Sequence, residues 1–458
     1  MVIPRLRIRN RDGSLAGSLR AARLVFAAVL LLSLMSSVAS ACPFCQAFRS
    51  PIANDLRNAK VAVLADFASL VPSTPGDKSS EEGVASHQAD LRIQRVIKGR
   101  DELPKTQSTI RLSSDTKFDT SKTYLCVGFG TKTIAWATPI PLHRNSVGYL
   151  EKLGKLPETG PARLEFFLKH LDDADPTIAD DAYNEFALAS YDDLLGLQDK
   201  IDRKWMLALL QRPRTDEMRL RLFCTLLGVA GNPDDAPSIL ALMTRLEQQS
   251  HVALDAAVAC YLTLLGEEGL SEVRSRYLAN VQAAPRNVYS AIVAVSFQGD
   301  QLQKIERPKL AESLELVLDR HEYADLVILK LAQWEHWSAA KRIAQLFKEA
   351  DPKATFVRQP AVRFLRACPK PEAAALLREL EAIDPQAVAQ SQSFQPIPPP
   401  DDSEEENDDV KPAAKPTPTK APAPKKEEKA EQMSLEPVNR ARLLAPFVHR
   451  QHDAAIAK

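Results

Sequence analysis

The stretch RLRLFCTLLGVAGNPDDAPSILALMTRL, residues 219–246, decides the fold. Its first part, Arg219 to Leu227, places apolar side chains at helical spacing. Gly, Asn-Pro and two Asp then interrupt the pattern, and Ala236 to Leu246 resumes it. A helix, a sharp turn and a returning helix make one unit, and such a unit needs a neighbour to cover its apolar face. The next unit repeats the scheme, with Val252 to Leu265 as first helix and Leu270 to Leu278 as partner. Similar helix endings recur at Leu188, Gly228, Gly266, Phe297, Ala332 and Arg366, with spacings of 40, 38, 31, 35 and 34 residues. Residues 160–390 are therefore expected to form an all-α solenoid of stacked helical hairpins.

Repeats of this length are similar to those of HEAT and armadillo-like solenoids, and the region is HEAT-like. Upstream, the period changes. Val61-Ala62-Val63-Leu64-Ala65-Asp66-Phe67 is a short apolar run suited to a buried strand, and Leu91 to Ile97 alternates apolar and polar. Lys98-Gly99 turns the chain. Thr109 to Leu112 and Thr123 to Phe129 supply two more strands, Thr133 to Trp136 a fifth, and Cys45 to Ala59 suits a short helix. The polar stretch Pro72 to Gln88 reads as a loop. Residues 42–155 thus match a small, partly closed OB-like β-barrel.

With its cysteine at residue 42, its helix, and the strings VAVLADF, LRIQRVIKG and KTYLCVGFG, this region resembles the netrin-like module. That OB-fold module occurs in tissue inhibitors of metalloproteinases and in complement C-terminal domains. The resemblance implies a protease-inhibitor-like activity, in which the first cysteine's amine and carbonyl ligate a protease zinc. The inhibitors begin Cys-X-Cys, whereas this chain has Cys42-Pro-Phe-Cys45. The tetrapeptide also resembles the active site of glutaredoxin-like enzymes, which implies an envelope thiol–disulfide oxidoreductase as a further alternative. In those enzymes a β-strand precedes the motif, and here residues 1–41 precede it.

Residues 1–41 read as a signal peptide. Six arginines and one Asp precede or flank an apolar stretch from Leu24 to Met35, and Ser36 to Ala41 offers small residues before Cys42. An uncleaved N-terminal anchor is the alternative. Cleavage leaves 53 Lys+Arg against 58 Asp+Glu, a mildly acidic mature chain with no further apolar segment long enough to span a membrane. The address is export, to a periplasm, a cell surface or the extracellular space, as in the exported bacterial proteins that the chain resembles. At the other end, residues 391–432 are rich in Pro, Lys and Glu, and read as a disordered linker. Residues 433–458 regain Leu443, Leu444, Phe447 and Val448, and read as a short helix or a disordered end.

The fold class is thus multidomain β + α: an OB-like barrel, a HEAT-like solenoid, and a disordered tail. The full chain balances 59 Lys+Arg against 59 Asp+Glu, which argues against nucleic acid as partner. With 16 Gly and 32 Pro it has no phosphate-binding glycine loop, and Ala294 to Gly299 lacks the first glycine of a nucleophile elbow. No catalytic residue, cofactor or metal site is expected. His449 and His452 share no ligand pattern, and Cys224, Cys260 and Cys368 read as buried inert thiols. The carboxylate pairs Asp172-Asp173, Asp180-Asp181 and Asp234-Asp235 suit helix N-caps. In an exported chain, a structural disulfide between Cys126 and either Cys42 or Cys45 is expected. Trp334 and Trp337, beside His336, offer either a stacking surface for a sugar or peptide or part of the core. The function expected is a non-enzymatic protein-interaction scaffold that engages an unknown protein partner through its helical-repeat surface.

Overall fold

Val61-Ala62-Val63-Leu64-Ala65 is buried at every position, and the sheet explains why. In a computed structural model, which describes residues 44–71, 87–104, 106–114, 117–130, 133–213, 215–249 and 252–391, these residues open the central strand β1 (Val61–Leu70). Strand β1 lies antiparallel between β2 (His87–Lys98) and β4 (Lys122–Phe129). β3 (Thr109–Ser114) extends the sheet beyond β2, while β5 (Ala135–Trp136) and β6 (Ile140–His143) both pair with β4. The order β3-β2-β1-β4-β5 makes a small, nearly closed OB-like barrel. Gly99 forms the expected turn after β2 with a left-handed φ of 71°, and a Cβ there would meet the Lys60 carbonyl oxygen at 2.1 Å.

Two cores share β1 and β4. Val63 and Ala65 face the inside of the barrel with Leu91, Ile110 and Leu112. Leu64, Leu125 and Val127 point the other way, into a second core that runs on through the helices with Leu150, Leu164 and Phe167. The apolar run of β1 lacks alternation because both of its faces are covered.

Helix α1 (Ile52–Asn58) precedes the sheet. After it come α2 (Val147–Leu153), α3 (Pro161–Leu168), α4 (Pro176–Leu188), α5 (Tyr191–Leu195), α6 (Arg203–Gln211), α7 (Glu217–Ala230) and α8 (Ala236–Gln248). The remainder are α9 (Leu254–Leu265), α10 (Glu267–Val273), α11 (Pro285–Phe297), α12 (Arg307–Glu315), α13 (Ala324–Gln333), α14 (Ala340–Glu349), α15 (Thr355–Ala367), α16 (Pro371–Ile383) and α17 (Pro385–Gln390). Helix α9 packs against α7, α8 and α11, so it is buried from Leu254 to Leu264. Proline opens α3, α4, α11, α16 and α17, where its missing N–H costs no hydrogen bond. Asp175, Asp202 and Asp216 cap the helices that follow them, whereas the expected pairs do not: Asp180 and Asp181 lie inside α4, Asp172 pairs with Arg212, and Asn232 caps the turn that holds Asp234 and Asp235.

Side chains that reach back or forward by one repeat tie the stack together. Arg219 donates to Asp180 at 2.7 Å, Arg245 to the Leu210 carbonyl at 2.9 Å, and Arg276 to Thr244 at 3.0 Å. Arg274 donates to Ser313 at 2.8 Å, Arg320 to the Ala283 carbonyl at 3.0 Å, and Lys330 to Asp300 at 2.6 Å. Arg221 pairs with the buried Asp255. These partners lie 30 to 39 residues apart in sequence, the spacing of the repeated helix endings.

Some elements differ from expectation. The helix expected over residues 45–59 is confined to α1, because the backbone before it is engaged by side chains of α4. The fifth strand shrinks to two residues, and β6 and α2 were not anticipated. Of the expected loop over residues 72–88, His87 and Gln88 belong to β2, and the rest lies outside the described residues. The expected signal peptide over residues 1–41, the expected linker after Ser391 and the end over residues 433–458 also lie outside them.

Candidate functional site

Residues 44–52 lie along the polar face of α4. The Phe48 N–H donates to Asn184 Oδ1 at 3.0 Å, and the Ile52 N–H donates to Asp181 Oδ1 at 2.7 Å. Arg49 donates to the Thr177 carbonyl at 3.1 Å, and the Tyr183 hydroxyl donates to the Gln46 carbonyl at 3.2 Å. From α2, the Tyr149 hydroxyl donates to the other Asp181 oxygen at 2.7 Å. Burial pushes the Asp181 carboxyl up to about 6 against these hydrogen bonds, with Glu185 adding to the rise and Arg49 opposing it. Beside it, Arg163 and Glu185 form a buried pair. The doublet Asp180-Asp181 is therefore divided: Asp180 serves the next repeat through Arg219, and Asp181 serves the N-terminal segment.

This placement decides the cysteines. Cys42 and Pro43 lie outside the described residues. Phe44 and Cys45 are buried, with the Phe44 ring edge-on to Phe297 of α11 at 4.9 Å. Cys45 belongs to the core shared with the helices, whereas Cys126 lies inside the barrel beside Tyr124. Strand alternation does put Cys126 on the face of Tyr124, but the helices cover the opposite face. The expected disulfide to Cys126 is accordingly absent: Cys126 is a free, buried thiol, and Cys45 is disulfide-bonded, but to none of Cys126, Cys224, Cys260 and Cys368. Cys224, Cys260 and Cys368 are likewise free and buried. Burial raises the thiols of Cys126, Cys224 and Cys260 and so disfavours the reactive thiolate.

Trp334 and Trp337 are both partly buried and packed against the core. The Trp334 indole N–H donates to Asp300 at 2.8 Å, and its ring lies over Gly299, where a Cβ would come within 2.4 Å. Trp337 stands edge-on to Phe364 at 5.2 Å. Nearby, His336 Nε2 lies 2.9 Å from both Glu315 and Ser338. A serine triad needs the acid on one ring nitrogen and the nucleophile on the other, and here both share one. His170 contacts Asp173 at 2.8 Å among Tyr149 and Phe166, with no nucleophile among the described residues hydrogen-bonded to it. Among the described residues no three His, Cys, Asp or Glu gather to hold a metal, and no helix is long and apolar enough to cross a membrane.

A half-open cleft of about 740 Å³ lies between β2, α1 and α2, and a smaller one of about 370 Å³ lies between α6 and α8. Leu56, Val96, Val147, Leu150 and Leu156 line the larger cleft, and charged side chains rim it. Neither this cleft nor the α4 clamp was anticipated from sequence. The doublet Asp180-Asp181 reads in sequence only as a helix cap, yet the Ile52 N–H that Asp181 accepts lies 129 residues away.

No protein-family model matches the sequence, and no curated protein matches it. Among solved structures, human deoxyhypusine hydroxylase in complex with glycerol is similar over 54% of this chain and 86% of its own, at 18% identity and a TM-score of 0.22. A likeness at that TM-score carries no argument about this chain.

Proposed function

We propose that this chain is an exported, non-enzymatic interaction scaffold whose stacked helical repeats present the binding surface. One observation carries the reading: the polar groups that chemistry would need are engaged in holding the molecule together. Asp181 and Asn184 hold the N-terminal segment, Asp180 and Asp255 join repeats, and Asp300 holds Trp334. The solenoid also keeps apolar side chains in solvent, with Val281 69% exposed and Leu316 and Leu329 more than a third exposed. Export rests on the sequence of residues 1–41 alone.

The same reading keeps kinship of the barrel with the netrin-like module as a proposal, supported by the Gly99 turn after β2. It disfavours the two alternatives. An inhibitor of that kind must project its first residues into a protease, and an oxidoreductase must expose a thiolate. Phe44 and Cys45 are instead packed beneath the helices.

Site-specific photo-cross-linkers at Val281, Leu316 and Leu329 test the proposal in cells. Adducts of one defined mass are expected from at least one position, together with no insulin reduction by the purified protein. Bare chain at all three positions, or turnover abolished by Cys45→Ser, contradicts it.

A further inference from the structure

We propose that the cleft between β2, α1 and α2 is a docking groove for an amphipathic helix of a partner protein with acidic flanks. The inference goes beyond the scaffold reading, which concerns the solenoid surface. A volume of about 740 Å³ lies within the range of about 300–1,000 Å³ typical of ligand sites. Apolar side chains make up slightly more than half of its surface, and among them Ile97 remains 37% exposed. The rim sets Arg57, Arg95, Lys98 and Lys155 against only Glu151 and Glu158, an excess of positive charge.

The four cations are not equivalent. The Lys98 ammonium donates to the Leu56 and Arg57 carbonyls at 3.0 and 2.7 Å, closing the end of α1. Arg95 meets Glu151 across the mouth at 2.5 Å, and both are more than half exposed. An exposed pair of that kind is worth only about 0–1 kcal/mol, so a partner's carboxylate can displace Glu151. Arg57 and Lys155 have no ion pair or side-chain hydrogen bond among the described residues. Charge complementarity therefore calls for acidic flanks around an apolar stripe.

A helix fits better than an added strand. Gln94 and Ile97 have no partner in the β1–β2 register, so β2 bulges where it lines the cleft. β2 lies between β3 and β1, and only its bulged end past Ile93 is open on the β3 side, too short and irregular a row of donors and acceptors for an added strand. The facing wall is itself a helix, α2, against which an apolar stripe packs.

Fluorescence anisotropy on the full chain tests the groove. The probes are two labelled helical peptides of about 14 residues, near 21 Å long. Both carry Leu on one face, with Glu on the other face in the first peptide and Lys in the second. Saturable binding of the Leu/Glu peptide alone is expected. Arg57→Glu combined with Lys155→Glu should weaken it about tenfold, a change of about 1.4 kcal/mol. Ile97→Glu should do the same through the apolar wall. All three side chains are exposed, so unchanged thermal melting shows that the variants fold. Equal binding of both peptides, no saturable binding, or undiminished affinity in the variants overturns the proposal. Displacement by micromolar decanoate also overturns it, in favour of a small amphipathic carboxylate. The cross-linking at Val281, Leu316 and Leu329 reads the solenoid separately, so failure here leaves the scaffold reading standing.

Discussion

The solenoid and its junction with the barrel solve the same problem in different ways. Each repeat of the solenoid touches mainly its neighbours, and its polar ties span one repeat, as from Arg245 to Leu210 or Arg276 to Thr244. At the junction, α4 holds a segment some 130 residues upstream through Asp181, Tyr183 and Asn184. Periodic local bonds tolerate the loss of one member, because every other interface still stands. A single clamp has no such redundancy. Burial of polar residues, rather than their number, marks where this molecule concentrates its specificity.

The largest effect is expected at the junction. Arg163→Ala leaves Glu185 buried without its partner and should destabilise the fold by about 3–5 kcal/mol in chemical denaturation. Arg163→Met combined with Glu185→Leu should recover most of that loss, because the two uncompensated charges are gone together. If Arg163→Ala costs no more than a surface substitution, the junction is not the critical region.

The second effect depends on pH. The Asp181 carboxyl rises from its ordinary value of 3.8 to about 6, so it favours the folded state below 3.8 and that contribution fades as pH rises through 6. The groups facing it are Tyr149 from α2, Glu185 from α4 and Arg49 from the N-terminal segment. Asp181→Asn keeps an oxygen for the Ile52 N–H and removes the charge. Relative to wild type, the variant should gain on the order of 2 kcal/mol between pH 4 and pH 7, since each tenfold change in proton affinity is worth about 1.36 kcal/mol and part of the shift is already spent at pH 4. Urea midpoints at the two pH values measure it, and a difference that does not change with pH contradicts the buried charge.

Within the repeats the change should be smaller. Arg245→Ala removes one bond to the Leu210 carbonyl, at about 1 kcal/mol, with faster hydrogen exchange confined to α6 and α8. A global collapse would erase the contrast between regions. The smallest effect belongs to Cys126→Val, expected under about 1.5 kcal/mol for a swap of similar volume. A structural disulfide there would have been worth about 2–4 kcal/mol. Alkylation in denaturant without reductant should label Cys126, and labelling only after reduction would contradict the free thiol.

Much of the architecture was legible because its causes are local. The endings read at Leu188, Gly266 and Phe297 fall within one residue of the ends of α4, α9 and α11, where apolar period, proline and Asx caps act over a few residues. The alternation in β2 and the turn at Gly99 followed from the same short-range chemistry. What escaped depends on distant partners. Strand β6 contains Pro141 and exists through its pairing with β4, and the segment before α1 stays non-helical where Asn184 takes the Phe48 N–H and Asp181 that of Ile52. The disulfide expectation failed for a related reason: alternation assigned Cys126 to a face, but only the packing shows that the helices cover the other one. Of the site residues, Trp334 and Trp337 were visible as a pair, while the partners that pack them, Gly299, Asp300 and Phe364, were not.

Native-state hydrogen exchange over residues 44–56 tests the clamp most directly. The amides of Phe48 and Ile52 donate to buried or partly buried side chains of α4, so the segment should exchange as slowly as α4 itself. Asp181→Ala combined with Asn184→Ala should release its protection while α7 to α11 keep theirs. Exchange of residues 44–56 at the rate of an unfolded peptide in the wild-type chain, with α4 still protected, would contradict the account.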